Sequence, residues 1–151
     1  MSLTYSVFSS EEWADAAASH ISKALPASGS VVLTGGSAAR RVYPLLAHLD
    51  ADWSGLEVFF SDERCVPPDH PESNYRMASE LLLDRAQPGA VHRMRGELDP
   101  GAAAAEYHDA LVGPVGAGLD LLLLGMGGDC HIGALYPDAP SLAERSALCT
   151  A

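Results

Sequence analysis

A mostly leucine run, Leu119-Asp120-Leu121-Leu122-Leu123-Leu124, opens directly onto Gly125-Met126-Gly127-Gly128-Asp129-Cys130-His131. This junction constrains the fold more than any other feature of the chain. The run reads as a buried strand, and the three glycines after it bare the backbone at the strand's carboxyl end. Glycine has no Cβ to obstruct the approach of main-chain N–H groups to a ligand. In open α/β sheets that edge is where ligands bind. Asp129 and His131 beside it can act as a proton-transfer group and its orienter; the plainer alternative is a tight turn with a surface histidine.

Two more strand ends carry the same kind of residue. Ser30 to Leu33 is an apolar strand broken by Thr34-Gly35-Gly36-Ser37, and Leu56 to Phe60 ends in Ser61-Asp62-Glu63-Arg64. Helical periodicity fills the intervals. Ser9 and Glu12 have capping-box spacing ahead of a helix with Trp13, Ala16, Ala17, His20, Ile21 and Ala24 on one face, ending before Pro26. A second helix begins soon after Ser37 and buries Val42, Leu45, Leu46 and Leu49, with Pro44 in its first turn or at a kink. Ser73 caps a third, running through Met77 and Leu81 to about Asp84. Pro100 to Val112 is an Ala-rich fourth, and Gly113 to Gly118 a turn. Short strands are expected at Thr4 to Phe8 and Val91 to Met94.

Strand alternating with helix predicts an α/β domain with a doubly wound, mainly parallel sheet. All three strand ends then face one way. The 151 residues match one domain with a sizeable core, and no repeat or linker divides them. With 48% hydrophobic and 19% charged residues the chain is globular. No apolar run suffices to cross a bilayer, and residues 1–6 lack the pattern of a signal peptide. A cytoplasmic protein with no membrane partner is expected.

The formal charge of −11, with Lys23 as the sole lysine, argues against a nucleic-acid partner. Any anion site must be a local pocket of arginine and backbone amides. Cys65, Cys130 and Cys149 are too few for a disulfide scaffold, and the histidines show no ligand spacing, so no metal site is expected. Thr34-Gly35-Gly36-Ser37 ahead of a helix suits a phosphate through its amides and the helix dipole. It also suits an ordinary turn with Ser37 as N-cap. Arg64 can grip a phosphate or carboxylate with Asp62 or Glu63 steadying its fork, or form a solvated ion pair. Ser73 and Asn74 read as cap residues, His131 as the reactive group, and Cys130 as incidental.

Taken in order, Leu33-Thr34-Gly35-Gly36-Ser37, Phe60-Ser61-Asp62-Glu63-Arg64, Ser73-Asn74, His92-Arg93-Met94, Ala105-Glu106-Tyr107 and Leu119 through Gly127 with Asp129, His131, Leu135 and Pro137 resemble the 6-phosphogluconolactonases. The resemblance runs along essentially the whole chain. It implies a Rossmann-like sheet of the NagB/RpiA type, and hydrolysis of 6-phospho-D-glucono-1,5-lactone to 6-phosphogluconate in the oxidative pentose phosphate pathway, without metal or organic cofactor. It further implies His131 as general base with Asp129, and Gly35, Gly36, Ser37, Asp62, Arg64 and Gly127 as substrate- or phosphate-binding residues. The related glucosamine-6-phosphate deaminases have Glu at the position of Tyr136 and tend to have Tyr at that of Arg64, so both positions favour the lactonase.

Two departures stand out. The family reads Asp-Gly-His-Thr-Ala-Ser-Leu-Phe-Pro where this chain has Asp129-Cys130-His131-Ile132-Gly133-Ala134-Leu135-Tyr136-Pro137. A glycine there implies a backbone angle or clearance that a Cβ opposes, and Ala134 lacks a hydroxyl. The family also continues well past Ala151, with more strands, a final helix and a phosphate-binding Lys/Arg segment, so the fold is expected to be truncated at its C-terminal side with an open sheet edge. A non-catalytic phosphosugar-binding module is therefore the alternative expectation. The sequence leaves the oligomeric state open.

Overall fold

The computed structural model describes residues 4–151. Helix α1 (Trp13–Ala24) leads into strand β1 (Gly29–Leu33), α2 (Gly36–Leu46) and β2 (Leu56–Phe60). Helix α3 (Asn74–Ala78) continues through a π-helical turn, Ser79–Leu83, into the short α4 (Asp84–Ala86). Strand β3 (Ala90–Val91), α5 (Pro100–Ala117) and β4 (Leu121–Leu122) follow, and a 3₁₀ turn, Pro140–Ala143, lies near the end. The strands form one parallel sheet in the order β3-β2-β1-β4. β1 pairs with β2 from Gly29↔Leu56 to Leu33↔Phe60, and with β4 at Val31↔Leu121 and Val32↔Leu122.

Alternation along the strands separates two cores. Val31, Leu33, Leu56, Val58 and Phe60 meet Ala14 and Ala18 of α1, Val42, Tyr43 and Leu46 of α2, and Met77 and Ala78 of α3. Val32 and Phe59 point the other way, onto Tyr107 of α5 with Met94 and Leu111. Helices thus cover both faces of the sheet. From β1 the chain winds outward through β2 and β3, then returns to place β4 on the other side of β1. The switch point lies between β1 and β4, and there a crevice opens at the carboxyl ends of the strands.

Side-chain hydrogen bonds fix the sheet ends. Asp120 accepts from the Ser30 N–H and hydroxyl at 2.9 and 3.1 Å, joining the start of β4 to β1. Gly29, at φ +129°, makes room for it: a Cβ would lie 2.3 Å from Asp120 Oδ2. The Tyr107 hydroxyl accepts from the Phe60 N–H at 2.7 Å and pins the end of β2. Burial pushes the Tyr107 phenol well above its ordinary pKa.

Several boundaries differ from the sequence expectation. Residues 4–8 form no strand, and Tyr5 and Val7 lie exposed. An isolated alternating segment without a neighbour gains neither ladder hydrogen bonds nor burial. The buried residues of α1 are Ala14 and Ala18, while His20 and Ala24 face solvent. The Ser9–Glu12 box does form, with Ser9 Oγ 2.7 Å from the Glu12 carboxylate and 3.2 Å from its N–H. Pro44 stands late in α2 rather than in its first turn, so the Arg40 carbonyl loses its i+4 donor. Leu49 falls beyond the helix and is exposed. α5 runs through Gly113 and Pro114 to Ala117, past its expected end at Val112.

The strand expected over Leu119 to Leu124 is laddered only at Leu121–Leu122, and Leu122 and Leu124 are exposed. Among the described residues nothing pairs with the outer edge of β4, whose backbone groups are left open. No helix of the described residues is long and apolar enough to cross a membrane.

Candidate functional site

A cavity of about 260 Å³ occupies the crevice between the ends of β1 and β4. Thr34, Gly35, Gly36, Ser37 and Ala38 line one side, Asp62 and Arg64 another, and Gly125, Met126, Gly127, His131, Gly133 and Tyr136 a third. Seven of the eight residues singled out from sequence therefore meet in one hollow. The eighth, Asp129, lies behind His131 and reaches the cavity only through it.

The first wall is the β1–α2 turn. Gly36, at φ +90°, opens the helix in a conformation that favours glycine. Gly35 occupies the N-cap position, and no side chain caps the helix. This corrects the reading of Ser37 as N-cap: Ser37 is already inside the first turn. A helix's first amides have no intrahelical acceptor, and here those of Gly36, Ser37 and Ala38 border the cavity with the positive end of the dipole behind them. The buried Tyr43 holds the turn from below. Its hydroxyl donates to the Thr34 carbonyl at 2.7 Å and accepts from the Thr34 N–H at 3.0 Å. Burial, above all, raises the Tyr43 pKa far beyond its usual range, so the hydroxyl keeps its proton.

The second wall departs from expectation. Among the described residues the Arg64 guanidinium has no carboxylate partner, so neither a solvated ion pair nor a steadying carboxylate holds its fork. Both acids have other work. The Glu63 carboxylate accepts from the N–H groups of Arg64, Asn74 and Tyr75 at 2.7, 2.7 and 2.8 Å, and from the Ser73 hydroxyl at 3.0 Å. It thereby satisfies the open amides at the start of α3. Asp62 accepts from Ser61 Oγ at 2.7 Å and from Asn74 Nδ2 at 3.0 Å. Ser73 caps α3 by accepting from the Arg76 N–H at 3.1 Å. Asn74 is more than a cap residue, since its side chain bridges to the Asp62 strand end.

The third wall is a closed turn. The Gly127 N–H donates to the His131 carbonyl at 2.9 Å, and the Cys130 N–H to the Gly127 carbonyl at 3.0 Å. The imidazole folds back over Gly127, where a Cβ would lie 2.2 Å from His131 Cε1. Glycine at 127 is thus a matter of clearance for the ring. Because its N–H is engaged, Gly127 is not a free donor to a ligand. His131 Nδ1 lies 2.5 Å from Asp129 Oδ1. The hydrogen bond with His131 holds the Asp129 carboxyl below its ordinary pKa, so it is ionised and accepts the proton on Nδ1. Nε2 then carries the lone pair. Tyr136 lies against the imidazole with ring centroids 4.6 Å apart.

Cys130 adopts φ +68°, the left-handed region where side chains are disfavoured. The backbone angle implied by glycine at this position is therefore present with a Cβ on it. The Cys130 side chain is exposed and does not line the cavity. Ala134 borders a larger neighbouring hollow of about 530 Å³ between the sheet, α5 and residues 141–151, and Asp62 lies between the two. Glu63, Asn74 and Tyr136 were named from the sequence in other parts: as a neighbour to the Arg64 fork, as a cap residue and as a mark of the lactonases. Glu63 and Asn74 gain their places through contacts between the end of β2 and the start of α3, and Tyr136 through local packing on His131.

The sequence pattern of the family described as glucosamine-6-phosphate isomerases/6-phosphogluconolactonase matches residues 9–151. The chain belongs to this family. It is 38% identical over 129 residues to the 6-phosphogluconolactonase of Treponema pallidum (strain Nichols), covering 79% of this chain and 54% of that protein. It is 38% identical over 131 residues to that of Synechocystis sp. (strain ATCC 27184 / PCC 6803 / Kazusa), covering 81% and 55%. Among solved structures, a 6-phosphogluconolactonase from Shewanella baltica OS155 superposes with a TM-score of 0.81 at 28% identity, over 95% of this chain and 66% of that one. The chain spans about half the length of the curated relatives it matches. The mainly parallel α/β sheet is the one seen in these lactonase structures.

Proposed function

We propose that this family member hydrolyses 6-phospho-D-glucono-1,5-lactone to 6-phosphogluconate, as a cytoplasmic enzyme of the oxidative pentose phosphate pathway. The observation that carries the reading is the pairing of His131 with Asp129 on the same cavity as an uncapped helix start and an Arg64 that has no carboxylate partner among the described residues. Asp129 holds the proton on Nδ1, so Nε2 faces a substrate as a base. Nε2 takes a proton from water as the water oxygen attacks the lactone carbonyl. The tetrahedral intermediate collapses by breaking the bond to the ring oxygen, which recovers that proton as the hydroxyl of 6-phosphogluconate. General base and acid catalysis of this kind contributes about 10²–10⁴-fold.

The Gly35–Ser37 turn and Arg64 suit the phosphate, with amides and a bidentate guanidinium. Asp62 is an acceptor and suits sugar hydroxyls rather than the phosphate. Holding the far end of the substrate fixes the carbonyl near His131. Developing negative charge on the carbonyl oxygen needs backbone donors. With the Gly127 N–H occupied, the Gly125–Gly128 segment offers only its other amides.

The test is acid release from freshly prepared lactone, comparing the chain, its His131→Ala variant and buffer, since the lactone also opens spontaneously. The expected result is a rate above buffer that His131→Ala abolishes in a folded protein. Calorimetric binding of 6-phosphogluconate with no rate above buffer would instead favour the non-catalytic binding reading. Neither binding nor turnover would overturn both.

A further inference from the structure

We infer that Asn74 is a positioning residue that sets the phosphate-binding turn and the Asp62 strand end relative to each other. The inference rests on the reading of the cavity given above. Gly35 has φ −90° and ψ −167°, extended backbone that any residue adopts, so conformation does not require glycine there. Space does. A Cβ on Gly35 would lie 2.1 Å from Asn74 Oδ1, 2.5 Å from Cγ and 2.7 Å from Nδ2. The three nearest atoms all belong to the Asn74 amide, which therefore packs flat against the turn.

The other end of that amide is committed as well. Asn74 Nδ2 donates to the Asp62 carbonyl at 3.1 Å and to its carboxylate at 3.0 Å. Asn74 is only 4% exposed, so it is shielded from exchange with solvent. Its own N–H donates to Glu63 at 2.7 Å, fixing the backbone from which the side chain projects. One amide thus spans the end of β1 and the end of β2, both of which line the cavity. Asn74 itself does not line it. Its contribution is to hold an anion-binding turn and a hydroxyl-accepting carboxylate at one separation.

Two measurements test this. The first is a stability cycle read by urea denaturation. Gly35→Ala is expected to lower the folded-to-unfolded ratio by roughly tenfold or more when Asn74 is present, and by no more than about twofold in the Asn74→Ala background, because the obstructing atoms are gone. Equal effects in both backgrounds would overturn the inference.

The second is function. Asn74→Ala and Asn74→Asp should weaken 6-phosphogluconate binding by roughly tenfold, the order of losing a hydrogen bond to a charged group. The loss should fall on KM for the lactone more than on kcat. A merely structural role would lower the active fraction, and hence kcat, while leaving KM and product affinity in place; that result would also overturn the inference. If the unaltered chain neither binds the product nor turns over the lactone, the functional reading falls. The Gly35/Asn74 cycle then still decides whether Asn74 sets the turn.

Discussion

Cys130 offers the sharpest test of the backbone argument, because one angle decides the outcome. Its φ of +68° places a β-carbon where L-residues are disfavoured by about 1–2 kcal/mol. The side chain is exposed, so removing it forfeits little burial. Cys130→Gly relieves the left-handed penalty and loses about 0.4–1 kcal/mol through the greater freedom of the unfolded chain. The net expectation is a stabilisation of up to about 1 kcal/mol. Cys130→Val keeps the angle but adds β-branching, which the left-handed region accommodates worst, and should lower stability by about 1–2 kcal/mol. The two variants should therefore differ by about 2 kcal/mol, or roughly 4–8 °C in Tm for a chain of this size. Urea denaturation in the presence of a reductant measures the gap. The hydrogen bonds that close the turn, from Gly127 N–H and Cys130 N–H, involve only backbone and survive both changes. Valine and glycine variants of equal stability would refute the reasoning.

Tyr43→Phe should lower stability by about 1–3 kcal/mol in urea denaturation, because both the N–H and the carbonyl of Thr34 lose their partner; an effect below about 0.5 kcal/mol would count against it. The Glu97 carboxyl is lowered to about 2, chiefly by hydrogen bonds from Arg93 at 2.7 and 2.9 Å. A carboxylate whose folded pKa is depressed stabilises fully above its unfolded value and loses that contribution as pH falls toward the folded one. Glu97→Gln should therefore flatten the fall in urea midpoint between about pH 4.5 and pH 2, and an unchanged acid limb would refute the assignment.

How much of this was legible in the sequence depends on how local the signal was. The strand Leu56–Phe60 and the Ser73 cap were read where they occur, because apolar runs and capping hydroxyls act within a few residues. The segment at residues 4–8 and the outer part of the Leu119–Leu124 run were misread, because a strand exists only where a neighbour accepts its hydrogen bonds. The same holds in the site. Asp129, Cys130 and His131 are adjacent in the chain, so the Asp129–His131 pairing could be expected from the motif, while the angle at Cys130 was implied only by the glycine that the resembled family carries there.

The sequence by itself determined the parallel α/β class, the three strand ends and the residues placed on them, since periodicity and glycine placement are properties of short segments. Tertiary structure alone decided what those residues do to one another. It turned Glu63 inward onto the start of α3, left Arg64 without a carboxylate partner among the described residues, and set the Asn74 amide against Gly35. Asn74 and Gly35 are 39 positions apart, and Glu63 and Tyr75 are 12. No local pattern encodes such contacts, because they arise only when parallel strands bring their carboxyl ends to one edge of the sheet.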